Sequence, residues 1–211
     1  MGDIPVLYPQ EEDREPAYPK NWFDVWKIAL TQASRFNYLC LLADPKASSK
    51  RAYIWIFVSG TISFLTTIGL FLFFQQFRFG ITTDLWTFTT TILIIGTPFV
   101  GGLSIISAII TIGMVQWVAN RFGGEGQFDQ LLYLFAAIIS PIGIICSVVI
   151  VIPVLNLLVF TISFFVMILL LIAIKAINKF SWGKSIAAFF SALMIGVLGI
   201  GILFFFSLLA F

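Results

Sequence analysis

The chain has no histidine, only two cysteines and little charge. Without histidine there are no imidazole ligands for haem or zinc and no histidine-based proton relays. The two thiols, Cys40 and Cys146, form no CxxC pair, and we interpret both as small apolar residues. Basic runs interleaved with aromatic residues are also missing, so the sequence predicts no nucleic-acid partner. It likewise predicts no cofactor and no catalytic or metal-binding residue.

Apolar residues dominate what remains. Hydrophobic residues make up 60% of the chain and charged residues 10%, against about 45–50% and about 25% in an average soluble domain. Such an apolar surface needs lipid as its solvent. Because every backbone amide inside a bilayer must be bonded within its own segment, we predict an all-α polytopic membrane protein.

Five apolar runs are long enough to cross a hydrocarbon core about 30 Å thick, which takes about 20 residues. The predicted transmembrane helices, within a domain at 46–211, are residues 53–77, 89–119, 130–152, 154–174 and 185–211. Residues 131–174 form one apolar stretch that is too long for a single crossing. A hairpin at Pro153 divides it into two crossings, and re-entry from one side is the alternative.

Prolines and small residues mark sites of helix bending and close packing. We expect the second span to tilt or bend at Pro98, and Pro141 lies near the centre of the third. The small residues that permit close backbone approach are Ser59, Gly60, Ser63, Gly101, Gly102, Ala136, Ala137, Gly196, Gly199 and Gly201. They suit packing within the bundle and an oligomer interface equally well.

Positive charge lies on one side of the predicted spans. With five crossings, eleven of the twelve basic residues share the side of the amino terminus. Since cytoplasmic loops hold the excess of Lys and Arg, we expect a cytoplasmic amino terminus, a carboxyl terminus on the opposite face, and a bacterial plasma membrane. The residues predicted to anchor the chain at the membrane surface are Trp22, Trp26, Lys46, Lys50, Arg51, Lys175, Lys179 and Lys184.

Two segments precede the first span. Residues 1–20 are acidic and proline-rich, which predicts a disordered cytoplasmic tail rather than a signal peptide. Residues 21–45 predict one amphipathic helix in the cytoplasmic interface, ended by Asp44 and Pro45; a soluble helix packed on the loops is the alternative. Its apolar face comprises Trp22, Val25, Trp26, Ala29, Ala33, Phe36 and Leu39.

The predicted span cores contain no Asp, Glu, Lys or Arg. Ionisable groups inside the membrane usually mark ion paths, proton relays or substrate sites. Their absence argues against a proton-coupled transporter or an intramembrane hydrolase. Gln116, Asn156 and scattered Ser and Thr remain, and we interpret them mainly as hydrogen-bonding groups between helices.

The most specific local pattern joins the second and third spans. Gly123, Gly124 and Gly126 allow positive φ angles and a sharp helix end, and Phe128 follows them. We expect Phe128 to fold back onto the bilayer or the bundle. The connection lacks the Lys-Ser/Thr of a phosphate-binding P-loop.

At these residues the sequence resembles the Yip family of Ypt/Rab-interacting membrane proteins. The likeness includes Trp117 at the end of the second span, the Gly-Gly-x-Gly-x-Phe connection and Pro141. Residues 174–185 and the stretch with Trp22 and Trp26 extend it over roughly residues 21–211. The resemblance implies five spans, a cytoplasmic amino terminus and no catalytic residue.

Eukaryotic members of that family act in early secretory traffic and contact Rab-type GTPases through cytoplasmic regions. This chain lacks their Asp-Leu-Tyr-Gly-Pro motif and longer cytoplasmic domain, so it is more similar to the compact prokaryotic members. The resemblance therefore implies membrane organisation without carrying over Rab binding.

The leading functional hypothesis is a non-enzymatic scaffold, accessory subunit or membrane-organising or trafficking factor. Its expected partners are membrane lipids and other membrane proteins, or further copies of itself. A transporter or permeation protein for a lipid or small neutral solute is the first alternative, with a cavity lined by Thr91, Gln116 and Asn156. An accessory subunit of a redox or pigment-bearing membrane complex is the second.

Overall fold

The described part of this computed structural model comprises Pro19, residues 21–79 and residues 83–209. Within these ranges all regular structure is helical, which confirms the predicted all-α class. The helices are α1 (Trp22–Thr31), α2 (Arg35–Ala43), α3 (Ser49–Phe79), α4 (Thr83–Arg121), α5 (Phe128–Val149), α6 (Asn156–Asn178) and α7 (Trp182–Leu209), with a 3₁₀ turn at Pro153–Leu155. Apart from Pro19, the predicted tail at 1–20 lies outside the described residues, as do the last two residues of the fifth predicted span.

Five helices are long and apolar enough to cross a membrane, as predicted. Their membrane-length segments are Ser49–Phe74, Thr90–Arg121, Phe128–Val149, Leu157–Asn178 and Trp182–Gly199. These five segments come from α3, α4, α5, α6 and α7 in chain order. The architecture is therefore that of a multi-pass integral membrane protein.

Helix ends differ from the predicted spans because capping geometry, and not hydropathy, ends a helix. The fourth predicted span stops at residue 174, whereas α6 continues to Asn178 and is capped by Lys179 in the left-handed conformation with φ 54°. Helix α4, which contains the second span, ends at Arg121, and Gly123 follows with φ 82°. A residue with positive φ stops the hydrogen-bond ladder whatever the local hydropathy is.

The long apolar stretch divides at the predicted hairpin. Helix α5 ends at Val149, the 3₁₀ turn contains Pro153, and α6 begins at Asn156. At the far end of α6, the Asn178 side chain accepts a hydrogen bond from the backbone of Gly126, just before α5. The two helices are therefore antiparallel neighbours, and 23 residues of α6 extend about 35 Å. That length favours a complete crossing over re-entry.

Helix α5 is the centre of the bundle. It packs against α3, α4 and α6, and also against α1 and α2, while α7 packs between α4 and α6. In the most apolar part of α5, 56% of the residues are buried inside the protein, compared with 11% in α4. The outer helices therefore present most of their apolar side chains to the surroundings.

The prediction of a single amphipathic helix at 21–45 is wrong, because the segment forms two helices, α1 and α2. Ser34 caps α2 by accepting a hydrogen bond from Asn37 N at 3.1 Å, and the Asn37 side chain donates to Gln32 O at 2.7 Å. Such local side-chain bonds compete with helix continuation. The break changes which residues are buried: Tyr38 is 0% exposed, while Leu39, on the predicted apolar face, is 44% exposed.

Tyr38 joins the two short helices. Its hydroxyl donates to Ala29 O at 3.0 Å. Burial raises the pKa of Tyr38, so the phenol stays protonated and remains a donor. Helix α1 lies on α5, and α2 lies on α5 and α6. The segment is thus a structural part of the bundle and packs on its helices, whereas the predicted alternative placed a soluble helix on the loops.

The two prolines inside spans do not interrupt their helices. Helix α4 continues through the exposed Pro98, and α5 continues through the buried Pro141. Proline removes one backbone donor, and Ser or Thr side chains commonly satisfy backbone groups in such helices. Next to Pro98, the hydroxyl of Thr97 donates to the carbonyl of Leu93.

Candidate functional site at the basic end of the bundle

One end of the bundle collects the charged groups, and we call it the basic end. Here α4 and α6 finish, α3, α5 and α7 begin, and α1 and α2 pack. Ser49 Oγ of α3 donates to Asp129 Oδ1 of α5 at 2.7 Å, and Lys179 Nζ lies 2.7 Å from Glu125 Oε2. These contacts place the starts of α3 and α5 beside the end of α6.

Four aromatic side chains meet at this end and form what we call the aromatic cluster: Trp22, Trp26, Trp55 and Tyr133. Trp55 is the shared member. Its ring centroid lies 5.9 Å from that of Trp22, 6.0 Å from that of Trp26 and 5.3 Å from that of Tyr133. Trp55 and Tyr133 are each 1% exposed. Edge-to-face and tilted packing of this kind fixes α1 against α3 and α5.

Arg51 covers the aromatic cluster. Its guanidinium carbon lies 4.8 Å from the Trp55 ring centroid, within the range of a cation–π contact. Its Nη1 is 3.6 Å from Asp44 Oδ2, and the two side chains are 11% and 3% exposed. Asp44 Oδ1 accepts from Lys46 N at 2.9 Å and so caps the turn before α3. The predicted surface anchor Arg51 is therefore largely buried, whereas Lys46 and Lys50 are exposed.

The predicted Gly-rich connection is held by Asn178. A Cβ added to Gly124 would lie 2.9 Å from Asn178 Cγ, and one added to Gly126 would lie 2.7 Å from Asn178 Oδ1. Two of the three glycines are thus required by close approach, and Gly123 by its positive φ. Phe128 folds back onto the bundle, opposite Gly113 of α4.

Gln116 completes this arrangement from α4. Its Nε2 donates to Gly126 O at 2.6 Å and to Asn120 Oδ1 at 2.8 Å, and it lies 3.3 Å from Asn178 Oδ1. Asn178 Oδ1 also accepts from Gly126 N at 3.2 Å. Gln116 and Asn178, which we call the amide pair, are buried and connect α4, the glycine connection and α6. The predicted helix-to-helix role of Gln116 is what the geometry supports.

The remaining predicted anchors differ in their surroundings. Lys175 Nζ lies 4.4 Å from the Trp182 ring, and Lys184 Nζ lies 5.9 Å from the Phe180 ring. Lys179 donates to Glu125, and this hydrogen bond, together with the lysine charge, lowers the pKa of that carboxyl. Lys179 and Lys184 are both exposed, but Glu125 compensates Lys179, so of the two it is Lys184 that adds uncompensated positive charge to the outer surface of the basic end.

The predicted small residues fall into two groups. Gly60, Gly101 and Gly196 serve packing inside the bundle: a Cβ on Gly60 would lie 2.9 Å from Ser104 Cβ, one on Gly101 would lie 2.7 Å from the Phe57 ring, and one on Gly196 would lie 3.6 Å from Met114 Sδ. Gly102 and Gly199 face open space. The structure thus separates the small residues that pack inside the bundle from those on its open faces, a distinction that the sequence did not provide.

A cavity of about 420 Å³ lies between α3, α4 and α5. Hydroxyl groups on its walls come from Ser59, Ser63, Ser104, Ser107 and Thr111. The lining predicted for a transport cavity is wrong. Thr91 is exposed and donates to Thr87 O, Gln116 lies at the basic end, and Asn156 begins α6 at the end opposite Asn178.

Sequence reasoning missed Asp44, Trp55, Tyr133 and Asn178 as parts of the basic end. Trp55 and Tyr133 sit inside apolar runs, where nothing distinguishes a cluster member from a lipid-facing ring. Asn178 offered a signal, because it is a lone amide at the end of an apolar helix. Polar side chains in such positions usually bond to a neighbouring helix.

These features define a class, a bundle of five membrane-length helices with one polar, basic end. No protein-family model, curated protein or solved structure matches the chain. The resemblance to the Yip family therefore stays a prediction based on the residues quoted above.

Proposed function

We propose that this chain is a non-enzymatic integral membrane protein of the Yip type that acts as a scaffold, accessory subunit or membrane-organising factor. The observation that supports this proposal is that buried polar side chains at its basic end connect helices, whereas the exposed ones there include several lysines. The amide pair holds helices together, while exposed lysines such as Lys50 and Lys184 are left on the outside. A fixed basic platform on an apolar bundle suits the binding of other molecules.

The partner surface that we propose is the outer face of α4 around Gly102. A Cβ at Gly102 would meet nothing within 4 Å, and Phe99 and Ile106, three and four residues away, are exposed. A small residue between large apolar ones allows another helix to approach closely in lipid. The partner is another membrane protein or a second copy of this chain.

Cross-linking in native membranes followed by native mass spectrometry tests this function. We expect a discrete complex that weakens in Gly102→Leu and persists in Gly69→Leu, a matched change at another open glycine of an outer face. The mass of the complex distinguishes a second copy from a different protein. A protein that is monomeric and unlinked in its own membrane would refute the proposal.

We further propose that the basic end is cytoplasmic and that the membrane is the bacterial plasma membrane. Support comes from the excess of Lys and Arg at one end of the bundle. Val154, in the turn between α5 and α6, is 84% exposed at the opposite end. With Cys40 and Cys146 replaced by alanine, an impermeant maleimide should label Val154→Cys in spheroplasts and Lys184→Cys only after lysis. The reverse pattern would overturn the orientation.

Binding or permeation of a neutral lipid or small solute is a second candidate, favoured by the cavity between α3, α4 and α5. The Ser63 hydroxyl on its wall is buried and has no hydrogen-bond partner in the part of the chain that the structure describes. A hydroxyl or carbonyl group of a ligand would satisfy it. Flux into liposomes should fall in Gly143→Leu, which fills the cavity from α5. Equal flux with protein and with empty vesicles would end this idea.

A further inference from the structure

Arg51 has more hydrogen-bond capacity than its surroundings use. Its Nε and Nη1 atoms are buried and have no hydrogen-bond partner among the described residues. Asp44 compensates the charge, but its Oδ2 is 3.6 Å from Nη1 and also accepts no hydrogen bond. A buried guanidinium normally has its donors paired, because an unpaired buried donor is unfavourable by about 1–3 kcal/mol. The unsatisfied donors therefore require an explanation.

A cavity of about 590 Å³, open to the surroundings, is lined in part by the Arg51 side chain. Its walls are Asn21, Trp22, Phe23, Lys46 and Arg51. Two cationic side chains and two aromatic rings thus face one space, at the point where α1 begins. The positive end of the α1 dipole adds to their potential. Two carboxylates are close by: Asp44 beside Arg51, and Asp24, whose Oδ2 accepts from Asn21 N at 3.1 Å.

We propose that this cavity binds the phosphate group of a membrane phospholipid. A phosphate oxygen pair matches the planar fork of a guanidinium, and the resulting charge-assisted hydrogen bonds are short and strong. Asp44 stays beside Arg51 as its counter-ion, with Oδ2 3.6 Å from Nη1, and a phosphate oxygen would accept from donors that Asp44 does not satisfy. Lys46, which is exposed, supplies a second cation at the rim.

The aromatic rings indicate a lipid rather than free phosphate. Trp22 and Phe23 are 40% and 77% exposed beside the charged wall. Exposed Trp and Phe rings next to basic groups at the end of a transmembrane helix are typical of the headgroup region. They would contact the glycerol and upper acyl carbons while Arg51 holds the phosphate. The proposal thus assigns two of the predicted surface anchors, Lys46 and Arg51, to one defined lipid-binding pocket.

Titration of the purified protein in neutral detergent tests the site. The probes are dioctanoyl phosphatidylglycerol, dioctanoylglycerol, which lacks the phosphate, and inorganic phosphate, with the shift in thermal unfolding as the readout. We expect phosphatidylglycerol to bind tightest. Arg51→Lys should weaken it by about tenfold, because a charge-assisted bond contributes about 1.5–3 kcal/mol. Lys46→Gln should weaken it by about fivefold, since a basic residue near a lipid surface contributes about 1 kcal/mol.

Lys27→Gln is the matched control, because it removes an exposed lysine of α1 that does not line the cavity. Its affinity for phosphatidylglycerol should equal that of the wild type. If Arg51→Lys fails to fold, the exposed Lys46 still decides the question. Equal binding of phosphatidylglycerol by wild type and Lys46→Gln would overturn the site. Equal binding of dioctanoylglycerol would overturn the role of phosphate, and equal binding of inorganic phosphate would overturn the lipid assignment.

The proposal depends on the basic end lying at a membrane surface and not on any protein partner. A chain that cross-links to a partner but binds no phosphatidylglycerol would refute the lipid site alone. A chain that binds the lipid but remains monomeric and unlinked in its own membrane would refute the scaffold alone.

Discussion

The basic end and the middle of the bundle are held together by different forces. At the basic end, polar side chains connect separate elements, as Asn178 does by bonding to Gln116 and Gly126. In the middle, α3 and α4 approach each other where Gly60 faces Ser104 and Gly101 faces Phe57. Close fit replaces hydrogen bonding there. The difference arises from the solvent. Lipid provides no hydrophobic driving force between helices, so helices in the membrane associate through close packing.

This contrast explains why different kinds of residue determine how the helices pack in the two regions. An amide at the basic end has few alternative partners once it is buried, so it fixes the register of α4 against α6. An apolar side chain in the middle is equally compatible with lipid and with protein. Small residues such as Gly60, Gly101 and Ser104 distinguish one helix face from another there.

Breaking the amide pair should have the largest effect. In Asn178→Leu the Gly126 N–H and the Gln116 amide lose an acceptor in a buried setting, and we expect a loss of about 3 kcal/mol from several such contacts. Thermal unfolding in mild detergent measures it. Asn120→Leu removes only one exposed acceptor of Gln116 and should change stability by less than about 1 kcal/mol. Equal losses in the two variants would contradict a special role for Asn178.

Adjacent glycines in α4 sharpen the comparison for the middle of the bundle. In Gly101→Leu the new side chain meets the Phe57 ring and Thr61 Oγ1, each 2.7 Å from the Cβ position, and overpacking should destabilise by about 2 kcal/mol. Gly102→Leu adds the same group where nothing lies within 4 Å. The monomer's unfolding temperature should fall in the first variant only. A similar fall in both would show that close fit against Phe57 does not control this position, because leucine favours the helix over glycine at both sites.

The sequence was sufficient for the class and the number of long helices. Hydropathy reports the solvent of a segment, and the five runs are visible without any knowledge of packing. The sequence was insufficient to predict which helix lies at the centre of the bundle and which lie at its periphery. The spans of α4 and α5 look alike in composition, yet α5 is central and α4 peripheral. Because lipid and protein interiors are both apolar, the two faces of a span carry no strong pattern.

The candidate site shows the same limit. The charge pattern predicted a basic end, and the glycine connection was found from its spacing. Arg51 and Trp55 lie four residues apart in α3, a spacing at which helical side chains meet. The packing of Trp22 and Trp26 on Trp55 depends on how α1 and α3 pack, which no local pattern encodes. The break at Ser34 was also missed. The apolar period continued through it, whereas Asn37 donates from its backbone to Ser34 Oγ and from its side chain to Gln32 O, which ends the first helix and begins the second.

The contact between Lys179 and Glu125 should matter least, because both side chains are mostly exposed, at 65% and 68%. Such pairs are weak and are screened by salt. The folded state lowers the pKa of Glu125, so the pair's stabilisation is present above the ordinary glutamate pKa near 4.5 and is lost as the pH falls through the folded-state value. Lys179→Gln should therefore lower the unfolding temperature slightly at pH 7 and not at pH 3.

Lys184→Gln is the control, since it removes the same charge from the same end without contacting Glu125. It should show no such pH dependence. A loss in Lys179→Gln that persists at pH 3 would assign the effect to the left-handed backbone of residue 179, with φ 54°, rather than to the ion pair. In that case Lys179→Gly should stabilise the protein at every pH, because glycine adopts positive φ without strain.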